Sequence, residues 1–222
     1  MTLDRKQKPM IFNAAFPRSY DAVMFDMDGT LLSSIAVIER VWGRWFTRHG
    51  LDPEEWIPRI HGIKAIDVIA SLALPGVDAR TEALLIEAEE MEDTDGIMQI
   101  DGASDFLSTL PADRWAIVTS APARLARLRI EAAGLPMPAV IVTAEDVERG
   151  KPGPACYLLG ARKMGVDPSA CLVFEDAVAG IAAGSAAGCD VAVIAATHRH
   201  AVETDFPRFQ DYRGFLAGGG RA

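Results

Sequence analysis

The sequence predicts an α/β protein: a three-layer, doubly wound parallel sheet with a small helical domain inserted into it. Two observations carry this expectation. Short, almost continuously apolar runs at 22–25, 115–119, 139–142, 171–174 and 191–195 alternate with helical patterns at about 103–110, 122–133, 154–164 and 178–187. Strands apolar on both sides belong to a parallel sheet that helices cover on both faces. The second observation is an interval without a convincing strand. From Ser33 to about Met98 the patterns are helical, at 34–49, 65–74 and 79–92, as expected of an all-helical unit placed after the first strand.

The punctuation agrees. Pro122 and Pro154 fall where a first helical turn begins, and Gly134 and Gly165 fall where those helices stop. Gly96 and Asp101-Gly102 mark the return from the insertion. The expected division is therefore residues 17–32 and 99–222 as a discontinuous core, 33–98 as a helical cap and 1–16 as a loose leader. Gly180, Gly184 and Gly188 share one helix face at i, i+4 spacing, which suits close approach to the sheet better than a membrane dimer motif. The last twenty or so residues, ending AGGGRA, read as frayed.

Composition narrows the function. The chain has 222 residues and a net charge of −9, from 22 basic and 31 acidic side chains. Such an acidic balance argues against nucleic acid, whose phosphates need a basic face. It also offers no polybasic segment for an anionic membrane. No apolar run approaches a membrane span, and the N-terminal stretch has no apolar h-region of a signal peptide. Cys156, Cys171 and Cys189 are odd in number and form no CxxC, so reduced, buried thiols in a cytoplasmic protein are expected.

Four features stand at predicted strand ends, where a doubly wound sheet binds ligands. The first is Asp26-Met27-Asp28-Gly29-Thr30, directly after the apolar run 22–25. Extended backbone points residues i and i+2 to one side, so both carboxylates can face one site, and Gly29 permits a sharp turn with amides free for an anion. Two like charges so close require a positive partner. The second is 117-IVTSAP-122, where Ser120 is a natural helix N-cap, and where Thr119 and nearby amides can instead hold a phosphate. The third is 150-GKPGP-154, with Lys151 fixed by a following proline; its alternative is a solvated surface lysine. The fourth is 172-LVFEDAVAG-180, whose Glu175 and Asp176 suit a hard cation, or merely a helix start.

In this order the four features resemble the haloacid dehalogenase-like superfamily of phosphotransferases, with a Rossmann-like core, over about Tyr20 to Thr197. The wording of 115-WAIVTS-120, 150-GKPGPACYLLGA-161 and 174-FEDAVAGIAAGSAAGC-189 is similar to its sugar-phosphate and glycerol-3-phosphate phosphatases. The resemblance implies a Mg²⁺-dependent phosphatase of small phosphorylated sugars or polyols. It implies Asp26 as nucleophile, forming an aspartyl-phosphate, and Asp28 as the acid and base. Mg²⁺ would be held by the Asp26 and Asp176 side chains, by the Asp28 carbonyl, and by Glu175 directly or through water. Thr119 and Lys151 would neutralise the transferring group, with Gly29 and Ser120 beside it. A monomer is expected.

Two alternatives stay open. A hexose phosphate mutase of the β-phosphoglucomutase type shares all four motifs and the cap; Thr30 leans towards the phosphatase. A metabolite sensor without turnover is the alternative of another class, and the intact acids argue against it. Ser33 stands where many relatives carry Asp, with no consequence assigned. Within the cap, 59-RIHGIKAID-67 is the candidate specificity loop, with His61, Gly62 and Lys64 as substrate contacts or as an ordinary solvated turn. Trp42, Trp45 and Phe46 are expected in the cap's own core, and His198 and His200 in a surface loop.

Overall fold

Alternation along the strands builds the three layers. The computed structural model describes residues 15, 16, 18–197 and 203–216. Its main sheet has six strands: β1 (Ala22–Phe25), β4 (Trp115–Val118), β5 (Val140–Val142), β6 (Cys171–Glu175), β7 (Asp190–Ile194) and β8 (Arg208–Phe209), in the order β5-β4-β1-β6-β7-β8. Every pairing is parallel. Val23, Phe25, Ile117, Leu172 and Phe174 point to one face, under α5 (Ala103–Thr109), α6 (Ala123–Ala132) and α9 (Arg213–Leu216). Ala22, Met24, Val118, Val173 and Val193 point to the other, under α7 (Ala155–Met164) and α8 (Val178–Ala186). The period of two thus divides one sheet between two apolar layers.

The first layer is aromatic. Phe25 and Phe174 stack with ring centroids 5.0 Å apart, and Phe106, Tyr212 and Phe215 close around them. Tyr212 and Phe215 are buried there, so 203–216 is not the frayed tail expected. β8 has two residues and no apolar run, which is why the sequence hides it.

A third apolar cluster belongs to four helices: α1 (Ile35–Arg48), α2 (Pro53–Ile60), α3 (Ala65–Ser71) and α4 (Ala79–Glu92). Val37, Val41, Trp42, Trp45 and Phe46 on α1 meet Ile60, Val68, Ile69 and Ile86 from the others. The Trp45 indole donates to Glu82 at 2.8 Å, and Asp52 and Asp78 cap α2 and α4 through their side chains. α2 went unseen in the sequence because Pro58 lies inside it. The insertion is also not free of strands. At its mouth β2 (Leu32–Ser33) pairs antiparallel with β3 (Met98–Gln99), joining the outgoing and returning chain.

One further expectation is corrected in detail. α8 ends at Ala186, so Gly188, at φ +82°, lies beyond the helix and shares no packing face. Gly180 does make the close approach, since a Cβ there would sit 1.6 Å from Glu175 Oε1. The three thiols are free and buried, as expected. His198 and His200 lie outside the described residues, as do 1–14 and 217–222. Among the described residues no helix is long and apolar enough to cross a membrane.

Phe174→Ala empties the centre of the aromatic layer. It is expected to cost about 3–5 kcal/mol, read by chemical denaturation, because the surrounding rings cannot collapse into the void.

Candidate active site

Strand order reverses around β1, and the crevice beyond the carboxyl ends of β1, β4 and β6 collects the four motifs. The register explains why. Phe25 pairs with both Ile117 and Phe174, so Asp26, Val118 and Glu175 emerge at one level. Lys151 reaches all three. Its Nζ lies 2.5 Å from Asp26 Oδ1, 2.6 Å from Glu175 Oε1 and 3.1 Å from the Val118 carbonyl. Tyr157 donates to the same Glu175 oxygen at 2.8 Å, and Glu175 Oε2 accepts the amides of Asp176 and Ala177.

The turn after β1 is shaped by its neighbour Asp176. Gly29 has φ +88°, and a Cβ there would lie 2.0 Å from Asp176 Oδ2, so only glycine fits. Thr30 Oγ1 donates to Asp176 Oδ1 at 3.1 Å. The Asp28 carboxyl turns elsewhere. Its Oδ1 accepts from Ser34 Oγ at 2.6 Å and lies 3.0 Å from Arg129 Nη1.

The electrostatics follow from burial. Asp26, Glu175 and Asp176 are buried and present ligand oxygens within 4.8 Å of one another, against one ammonium. Burial pushes Asp26 up to about 8, with Glu175 and Asp28 adding to the rise and Lys151 opposing it. Burial, then the charges of Asp26 and Glu175, raise Asp176 well above the carboxylate range. Burial works against the Lys151 charge, and Asp26 and Glu175 outweigh it, so its pKa rises. Three carboxylates and one lysine leave an excess of negative charge on an all-oxygen donor set. That chemistry fits a hard divalent cation such as Mg²⁺.

A cavity of about 80 Å³ opens over Asp26 and Asp28. Thr119, Ser120, His61 and Gly62 line it, as the sequence suggested. Ser120 does not cap α6; its hydroxyl donates to the Gly62 carbonyl at 2.8 Å, tying the insertion to the core. Gly29 lies beneath Asp176 rather than in the cavity wall. Lys64 is corrected. Its ammonium turns away to the carbonyls of Val147 at 2.5 Å and Glu148 at 3.3 Å, with its stem against Gly150. A flexible four-carbon stem made either destination accessible to this residue.

The wall also contains Trp42, which the sequence assigned to the cap's own core, and two residues it did not flag, Glu90 and Arg129. Arg129 Nη2 lies 3.3 Å from Glu90 Oε1, and both side chains are buried. Burial raises Glu90, Arg129 opposes this, and Asp28 adds to it. A signal was present. Leu125, Ala126 and Ile130 form the apolar face of α6, and Arg129 falls on that face; Glu90 follows Ile86 by one helical turn.

A doubly wound sheet carrying a buried acid–lysine cluster at its switch point has the layout of an enzyme active site. The model of the haloacid dehalogenase-like hydrolases matches residues 20–188, and the chain belongs to that family. It is similar to hexitol phosphatase A of Escherichia coli K12, with 46% identity over 175 residues, covering 77% of this chain and 81% of that protein. Glycerol-1-phosphate phosphohydrolase 2 of Saccharomyces cerevisiae is 37% identical, covering 80% and 75%. Among solved structures, a hydrolase from Pseudomonas syringae shares the fold with a TM-score of 0.78 and 24% identity, covering 89% of this chain and 96% of that one. A family member from Deinococcus radiodurans with bound phosphate and sodium reaches 0.61 at 30% identity, covering 85% and 90%.

The raised Asp26 gives a stability test. A carboxyl whose folded pKa is about 8, above its ordinary 3.8, favours the fold below the lower value and loses that contribution as pH rises through the upper one. Asp26→Asn cannot ionise. In chelator it is expected to be more stable than the parent, with the gap widening from pH 5 to pH 8 in urea unfolding; a constant or reversed gap contradicts the electrostatic account.

Proposed function

We propose that the chain is a Mg²⁺-dependent phosphatase of small phosphorylated sugars or polyols, acting through an aspartyl-phosphate on Asp26. The observation that carries this is Asp26 held by Lys151 at 2.5 Å in a buried acid cluster, with Asp28 beside the same cavity. The relatives named as hexitol, glycerol-1-phosphate and 6-phosphogluconate phosphatases support the substrate class.

Asp26, Glu175 and Asp176 would hold Mg²⁺, which when bound supplies positive charge to the phosphoryl oxygens. Lys151 keeps the Asp26 carboxylate aimed out of the end of β1. One Asp26 oxygen forms the bond to phosphorus while the bond from phosphorus to the alcohol oxygen breaks. Asp28 gives its proton to the departing alkoxide, then takes one from the water that displaces phosphate from Asp26. Ser34 and Arg129 both contact Asp28 Oδ1, which fixes the carboxyl plane for both transfers. The Thr119 hydroxyl and the Lys151 ammonium would neutralise the transferring group's oxygens.

Phosphate release from glucitol 6-phosphate and glycerol 3-phosphate is the test. Release is expected to require Mg²⁺, to stop in chelator and to vanish in Asp26→Asn. Asp28→Asn is expected to lose about 10²–10⁴-fold in kcat, the usual worth of a general acid–base group. Conversion of β-glucose 1-phosphate to the 6-phosphate, with no net release from any substrate, would overturn the hydrolytic reading.

A further inference from the structure

Arg129 has unfinished business in the cavity. It is 3% exposed, yet among the described residues its Nε and Nη2 make no hydrogen bond. The Nη2 contact with Glu90 is an ion pair without hydrogen-bond geometry. Buried N–H donors left unmet cost free energy, and Arg129 lines the cavity over Asp26 and Asp28. Glu90 comes from α4 and Arg129 from α6, so insertion and core each supply one member of the pair. Ile38, Trp42 and Ile60 add apolar surface to the same wall.

Charge decides what the pair can take. Two acids, Asp28 and Glu90, face the one guanidinium, and ionisation of either balances its charge. While one of them is ionised, Arg129 has no net positive charge to spare. A ligand hydroxyl can accept from the guanidinium and donate to a carboxylate at once. A ligand carboxylate or second phosphate only accepts, and it meets Asp28 and Glu90 as like charges. We propose that Glu90 and Arg129 form the subsite for the leaving alcohol, selecting a neutral, hydroxyl-rich carbon chain and rejecting an acidic one. This rests on the phosphatase reading for its substrate class. It separates the polyol phosphates from sugar-acid phosphates, both of which occur among the substrates named for relatives.

Two substrate pairs isolate the effect: glycerol 3-phosphate against 3-phosphoglycerate, and glucitol 6-phosphate against 6-phosphogluconate. Within each pair a CH₂OH replaces a carboxylate. Binding is measured by calorimetry to Asp26→Asn in Mg²⁺, and turnover by phosphate release from the parent chain. The alcohol of each pair is expected to bind about 10–100-fold tighter, the worth of one charge-assisted hydrogen bond. Adding Glu90→Gln, of equal size, is expected to reduce that preference about tenfold, with weaker alcohol binding and stronger acid binding, for the same reason. Glu90→Asp retains the charge and most of the preference, and thermal melts confirm that each variant is folded. Equal binding within both pairs, or a ratio untouched by Glu90→Gln in folded protein, overturns the subsite. A preference in binding with no phosphate release from the parent leaves the subsite standing and removes the phosphatase. Release at equal kcat/KM from both members, with equal binding, does the reverse.

Discussion

The ammonium of Lys151 is the contact on which the site depends. It bridges Asp26 at the end of β1 and Glu175 on β6, and it donates to the Val118 carbonyl of β4 as a third partner. Three adjacent strands would otherwise end in buried acids and an unmatched carbonyl. Removing the ammonium would leave the buried acids without a counter-charge, which is far more damaging than never having built the cluster. The lysine can do this because its backbone sits in the 150–154 turn, outside the sheet, and its side chain enters from above. The same ammonium that completes the fold at this point also supplies positive charge where an anion would be processed.

Around that centre, the acids are held by two different sets of neighbours. Glu175 and Asp176 are held by neighbours in the core, among them Lys151, Tyr157, two main-chain amides and Thr30. Asp28 is fixed by Ser34, at the root of the insertion, and by Arg129, which also meets Glu90 on α4. The position of Asp28 is therefore linked to the packing of the helical insertion. The proposed proton transfer and the proposed subsite would share that one network.

The parts of the molecule legible in its sequence are those with both sides buried. The strands from Ala22 to Ile194 read as apolar runs because two helical layers cover them. The four motifs were legible because each couples a strand end to residues of unusual chemistry. β8 and α9 were not, since two and four residues are too few to show a period. Glu90 and Arg129 were hidden for another reason: charges on helices are ordinary, and only their place on an apolar face sets them apart. Lys64 was misplaced because spacing locates a Cα and says little about where a long stem ends.

Two of the ties between the insertion and the core end on main-chain oxygens: Ser120 on the Gly62 carbonyl, and Lys64 on the carbonyls of Val147 and Glu148. A carbonyl survives replacement of the side chain beside it. That part of the docking is written in backbone on its accepting side, and the side chains at 147 and 148 are released from that duty, while the donors Ser120 and Lys64 carry it. A lineage can change those two side chains by ordinary substitution and inherit the acceptors unchanged.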